Sequence, residues 1–562
     1  MSRNAWGWSL VCAVAIGAGL VLVAGYGVAF AQDGDAPQPE PFEGQPLPTD
    51  KNAFFAGAGA CTSCHTNMVD ESGADVSIDA YWRATMMANA ARDPYWLASV
   101  RVETLGAPGL KDVIEDKCTT CHMPMARTTV AVQDEAPGLL HGDGGFADPD
   151  HPLHALANDG VSCTLCHQVE PEGLGEPASF SGGFAIDTVR AADDRPAYNP
   201  FASNPELSAV MQNASGFVPE QSEHVTKAEL CASCHTLYTP YLDSSGAIAG
   251  EFPEQTPYFE WLNSQYVAST PCQGCHMPTA EGGVITSVVG GEPRSPFARH
   301  VFVGGNVYMQ SIFRAFGDDL GLTASSEHVE ATGARTLDQL QGRTASLALE
   351  NLGYARSQVT ANVVVRNLAG HKFPTGFPSR RAWLHLVIED AGGNVVFESG
   401  GYDEQGRITG DNHDADPGSF EPHRKVIRQP HEVQIYESVM VDTDGNVTNI
   451  LLRGSGYIKD NRLLPVGFDK ITAPGDIAPD ELALEDANFT GGGDRVMYSI
   501  NVGDAQGPFT VRVDLLYLSI GYNWAEKLRA FTTEESAAFM AYFDAVPNLP
   551  VVVASASATV GG

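Results

Sequence analysis

The sequence predicts an α+β fold, with a region of short helices and long loops followed by an antiparallel β-sandwich. Three observations predict it. Five copies of Cys-x-x-Cys-His lie between residues 61 and 276, and none lies after them. A period-two alternation of apolar and polar residues starts at Gln358 and recurs up to Leu516. Between the two, Glu327 to Leu352 interleaves polar and apolar side chains as a helix does.

Taken in chain order, residues 1–31 read as an export signal, with Arg3, an apolar run from Leu10 to Val23, and Ala29-Phe30-Ala31 ahead of Gln32. An uncleaved N-terminal anchor is the alternative, and the only route to membrane attachment that the sequence offers. Residues 32–50 are acidic and rich in Pro, Gly and Gln, a flexible lead. Residues 51–325 carry the five motifs, whose first cysteines fall at 61, 118, 163, 231 and 272, so no fixed repeat is present. Residues 326–356 are expected to be a linking helix. Residues 357–530 form the sandwich, with strands at Gln358–Arg366, Ala382–Glu389, Val395–Glu398, His431–Val441, Val496–Val502 and Phe509–Leu516, separated by turns such as 391–394 and 442–446. Residues 531–562 are expected to be a C-terminal helix and a tail.

The 562-residue chain carries 33 Lys plus Arg against 69 Asp plus Glu, a formal charge of −36. Such a surface repels nucleic acid and anionic lipid and attracts basic proteins. Ordinary solubility explains the acid excess equally well.

Of eleven cysteines, Cys12 lies in the export segment and the other ten all belong to motifs: Cys61/Cys64, Cys118/Cys121, Cys163/Cys166, Cys231/Cys234 and Cys272/Cys275. Two thiols three positions apart can each add across a haem vinyl group, and the next residue, His65, His122, His167, His235 or His276, then sits under the iron as proximal ligand. Zinc sites do not require His after every second Cys, and thioredoxin-like motifs occur once per domain. The cofactor expectation is therefore five c-type haems. Calcium is a weaker expectation, at Asp411–Asp416 and Asp442–Asn446, and a hairpin turn explains the second of these as well.

A second imidazole makes a six-coordinate, low-potential haem, and a thioether raises the potential. The candidates for distal ligand are His154, His224, His300 and His371, then His151, His141 and Met87, with its neighbour Met86. His224 is expected on a helical stretch from Glu220 to Cys231, His151 and His154 on one helical face, and Met86 and Met87 on an amphipathic helix where core packing competes with ligation. His385 reads as structural. His328, His413, His423 and His431 read as exposed.

With these residues in view, and with Asp159–His167, Gly370–Gly376 (Gly-His-Lys-Phe-Pro-Thr-Gly) and Tyr457–Asp469, the chain resembles the exported multihaem (pentahaem) cytochromes c that join a haem-rich N-terminal half to a C-terminal β-domain. The resemblance spans about residues 55–550. It implies electron transfer, mostly through bis-histidine haems, in the periplasm or at the cell surface, and some such proteins self-associate into filaments. The leading expectation is a non-enzymatic electron carrier serving basic redox partners. The alternative is a multihaem reductase of a small nitrogen or sulfur oxyanion with one open-faced haem. Pentahaem nitrite reductases are similar in haem number but carry a Cys-x-x-Cys-Lys motif, and all five copies here end in His.

Overall fold

A computed structural model of the chain describes residues 40–142 and 144–561. The expected export signal and the first residues of the lead lie outside the described residues. Pro41–Gly562 forms one compact unit, so the helical and β-rich halves differ in secondary structure without being separate bodies.

The N-terminal half is built from short helices whose ends the sequence marks. Pro94–Gly106 is started by Asp93, whose carboxylate accepts the amides of Tyr95 and Trp96. Pro205–Ser215 is started in the same way by Asn204 and stopped by Gly216 at φ 83°. Two small pairs of strands interrupt the helices: β1 (Arg195–Asn199) with β2 (Phe217–Gln221), parallel, and β3 (Leu237–Leu242) with β4 (Ile248–Gln255), antiparallel.

The C-terminal half contains β5 (Ala345–Ala355), β6 (Gln358–Asn367), β7 (Arg381–Glu389), β8 (Val395–Ser399), β9 (Val426–Ile427), β10 (Ile435–Tyr436), β11 (Ser438–Val441), β12 (Gly456–Asp460), β13 (Gly493–Asn501), β14 (Phe509–Leu518) and β15 (Val551–Val560). One sheet runs β5-β6-β13-β9. The other runs β10-β7-β14-β15, with β8 beside β7. Alternate residues of both sheets, including Val363, Val365, Val496 and Ile500 from one and Leu384, Leu386, Val511 and Val513 from the other, share one apolar core. The fold is thus α+β, with short helices and a two-sheet β region. β9 pairs parallel to β13, an exception to the expected antiparallel pattern.

Several boundaries differ from expectation. The linking helix runs only over Ser326–Arg343, and 345–355 is strand, because Leu347 and Leu349 pair across β6 with Val365 and Val363. The tail after Pro547 forms β15 on the edge of β14. The lead is not free from Pro41 onward: Phe42 is buried among Tyr308, Phe313 and Phe543, and its amide donates to Ser326 Oγ at 2.8 Å. Burying such a ring is worth roughly 1.5–3 kcal/mol. Glu220–Cys231 is not one helix but the end of β2, a 3-10 turn at Glu223–Thr226 and a helix at Ala228–Ala232. Met86 and Met87 lie in turns after the helix Ile78–Trp82, and the helix near His151 begins only at His154.

Candidate haem centres

Each motif sits on or beside one helical turn, which places its two cysteines on one face. Among the described residues the ten motif cysteines form no disulfide. Nine of them, all except Cys275, line a single cavity of about 1240 Å³ together with all five motif histidines. That exceeds the roughly 300–1,000 Å³ of a pocket for one small ligand.

Four of the five histidines are oriented alike. Nδ1–H donates to a backbone carbonyl: His65 to Thr286 at 2.6 Å, His122 to Ala90 at 3.0 Å, His167 to Tyr198 at 2.6 Å and His276 to Val303 at 2.6 Å. With Nδ1 committed, Nε2 carries the lone pair, the arrangement a metal-bound imidazole needs. Burial favours the neutral, ligating form, pushing His122 down to about 4. His235 also falls to about 4, by burial and then by the charges of His276, Arg380 and His122.

Two of the expected distal residues face motif histidines across the cavity. His300 lies opposite His167, with ring centres 6.4 Å apart and planes 22° apart. His371 lies opposite His276 at 6.2 Å and 15°. A metal–imidazole bond of about 2.0 Å, plus about 1.1 Å from nitrogen to ring centre, puts two trans imidazoles about 6.2 Å apart. Both separations therefore fit one iron between the rings. His371 Nδ1–H donates to the Lys372 carbonyl at 2.8 Å, while His300 Nδ1 is buried without a hydrogen-bond partner. Burial and the neighbouring His167 push His300 down to about 3. Among the described residues these are the two histidine–histidine ring pairs.

The remaining candidates are placed otherwise. His224 spends both nitrogens: Nε2–H donates to the Val169 carbonyl at 2.8 Å and Nδ1 accepts from Ser222 Oγ at 2.7 Å. As the chain stands, neither nitrogen of His224 is free, and the residue does not line the cavity. His154 is held by the Phe146 carbonyl at 2.9 Å and by Asn158 at 2.8 Å, and His151 accepts the Leu153 amide at 3.0 Å; neither lines the cavity. His141 is exposed beside Glu534. Met86 and Met87 do line the cavity, and so does Met211, which the sequence reading missed for want of any motif near it. His413 and His423 are buried, contrary to expectation, and His385 meets Glu398 at 2.9 Å.

Thiols of different motifs adjoin in three places: Cys61 with Cys163, Cys121 with Cys234, and Cys231 with Cys272. Hydrogen bonds hold two of these three sets of neighbours. Ala58 N donates to Asp159 Oδ2 at 2.8 Å between motifs one and three. The amides of Ser181 and Gly182, beside Thr120, donate to Thr236 and Ser233 around motif four.

The expected calcium loops are differently employed. Asp411 and Asp414 close on the buried guanidinium of Arg381, at 3.0 and 2.7 Å. Asp442 Oδ1 accepts the amides of Asp444 and Asn446 within its own turn. Elsewhere His423, Asp486 and Asp494 lie within 4.8 Å of one another. Amide donors from Gln434 and Asn461 converge on His423 Nδ1, however, which fixes the proton on Nε2, facing Asp486. That imidazole is a hydrogen-bond donor there, not a ligand.

No protein-family model matches the chain, and no curated protein matches it. Among solved structures, the crystal structure of a penta-heme cytochrome c552 from Thermochromatium tepidum is similar at a TM-score of 0.48 and 17% identity, over 89% of this chain and 97% of that chain. No described helix is long and apolar enough to cross a membrane.

Proposed function

We propose that the chain is a multihaem electron-transfer protein that binds five c-type haems in one shared cavity, is exported, and works in the periplasm or at the cell surface. The observation that carries this reading is the pair of facing imidazoles, His167 with His300 and His276 with His371, at 6.4 and 6.2 Å in a cavity bordered by all five attachment motifs. When bound, haem supplies one-electron chemistry at iron. The protein supplies the thiols, the oriented imidazoles and the low-dielectric walls that set each potential. Motif four adjoins motifs two and five through its thiols, so neighbouring macrocycles would be close enough for electrons to pass.

Mass spectrometry of protein from a host that matures c-type cytochromes tests the reading. Five haem masses above the mature polypeptide are expected, and a bare polypeptide mass would sink it. The acidic surface suits a basic redox partner, so the association rate should fall steeply with added salt.

One observation favours the reductase reading. No described imidazole faces His65, His122 or His235 as His300 faces His167, and of these three His235 also has the Arg380 guanidinium close enough to depress it. Nitrite or hydroxylamine turnover by the reduced holoprotein would support that reading; its absence, with a full complement of low-spin haems, would favour the carrier.

A further inference from the structure

We infer that Glu260, Arg462, Asp460 and Lys372 form a buried positioning device that seats His371 opposite His276 and keeps the motif-five haem six-coordinate. The inference rests on the haem reading above.

Both sides of that centre hang from one short helix, Pro257–Leu262. On the proximal side, the Trp261 indole N–H donates to the Thr270 carbonyl at 2.9 Å, two residues before Cys272. On the distal side, the adjacent Glu260 reaches the loop that carries His371. Its Oε2 accepts the Lys372 amide at 3.1 Å and the Thr375 hydroxyl at 2.6 Å. Its Oε1 accepts from Arg462 Nη1 at 2.9 Å. Arg462 also grips both oxygens of Asp460, at 2.9 and 2.7 Å, and Lys372 Nζ donates to Asp460 Oδ2 at 2.7 Å. Phe373 and Leu463 exchange two backbone bonds of 2.9 Å, and Asn367 Nδ2 donates to the His371 carbonyl at 2.9 Å. The strings Gly370–Gly376 and Tyr457–Asp469 thus meet in one network.

The four charges sum to zero, and each residue is at most 5% exposed. Apolar residues of similar volume would hold a core as well as a buried ion pair does, so stability is a weak reason for the network. Directional bonds to the Lys372 amide and the Thr375 hydroxyl do something apolar packing cannot: they fix the backbone one residue from the ligand.

The test uses full-length holoprotein. Glu260→Gln and the milder Thr375→Val are compared with His371→Ala by high-spin ferric EPR intensity and by carbon monoxide bound after full reduction. His371→Ala should add one carbon monoxide equivalent per chain over the unaltered protein. Glu260→Gln should add a large part of that equivalent and Thr375→Val a smaller part, with the other haem signals unchanged. If His371→Ala adds none, the ligand reading fails, and the inference with it. If His371→Ala adds one while the two network variants, folded and carrying five haems, add none, the network is structural only and the inference is overturned. Should Glu260→Gln yield no folded holoprotein, the Thr375→Val result decides alone.

Discussion

Trp96 lies flat against His122, with ring centres 4.2 Å apart and planes 1° apart. The indole fixes one face of the motif-two imidazole while the Ala90 carbonyl fixes its edge. Trp96→Ala should therefore act at one haem. An aromatic pair contributes about 0.5–1.5 kcal/mol beyond its area, and the lost burial of a half-buried indole raises the total to about 1–3 kcal/mol. The urea midpoint should fall accordingly, and one ferric EPR signal should broaden as its imidazole turns. An unchanged spectrum would leave the indole no role in holding the ring.

The His167–His300 pair makes a sharper demand. Replacing His300 by Met exchanges an imidazole for a thioether, which stabilises ferrous iron relative to ferric. Voltammetry of the His300→Met holoprotein should show one centre rising by on the order of 100 mV, a fraction of the roughly 0.8 V that axial ligands span. The motif-five centre, with its own His276–His371 pair, should stay in place. A voltammogram unchanged in all five waves would exclude His300 as a ligand.

What the sequence disclosed and what it hid follow from the range of the interactions. The Cys-x-x-Cys-His pattern is complete within five residues, so Cys61–His65 and its four counterparts can be picked out without a fold. His300 and His371 sit beside irregular Gly-rich segments that can present a ring, and both lie in the cavity. His154 and His224 lie close in sequence to a motif, but local carbonyls and hydroxyls hold them. Glu260 is 112 residues from Lys372 and 202 from Arg462, beyond the reach of any local pattern. The same limit applies to the secondary structure. Ala345–Ala355 has helix-like composition, and only pairing with β6 makes it a strand. Val551–Val560 alternates Val and small residues without turn signals, and becomes a strand because β14 offers it an edge.

Arg381 occupies the first of the two places where the sequence suggested calcium. Its guanidinium holds Asp411 and Asp414, and all three side chains are at most 4% exposed. Removing the cation leaves two buried carboxylates uncompensated, so Arg381→Leu should cost about 3–5 kcal/mol in chemical denaturation. Chelator should leave the melting temperature of the unaltered protein where it was. A fall on chelation, reversed by calcium, would show that a metal site exists after all.

Asp494 gives a pH dependence whose sign is fixed by its surroundings. Burial raises its carboxyl from 3.8 to about 6, against the opposing influence of His423 and of the Tyr436 hydroxyl, which donates to it at 2.9 Å. Below about pH 4 both folded and unfolded chains hold the proton, and the contribution is fully present. Between about 4 and 6 only the folded chain holds it, so stability falls as pH rises, by roughly 3 kcal/mol in all for a shift of about two units. Above about 6 the loss is complete. Asp494→Asn is neutral throughout and should lose that share of the slope. The unfolding free energy of the variant, measured at about pH 4.5 and 7.5, should therefore drop by roughly 2–3 kcal/mol less than that of the unaltered protein. Equal drops in the two proteins would place the proton on another group of the cluster.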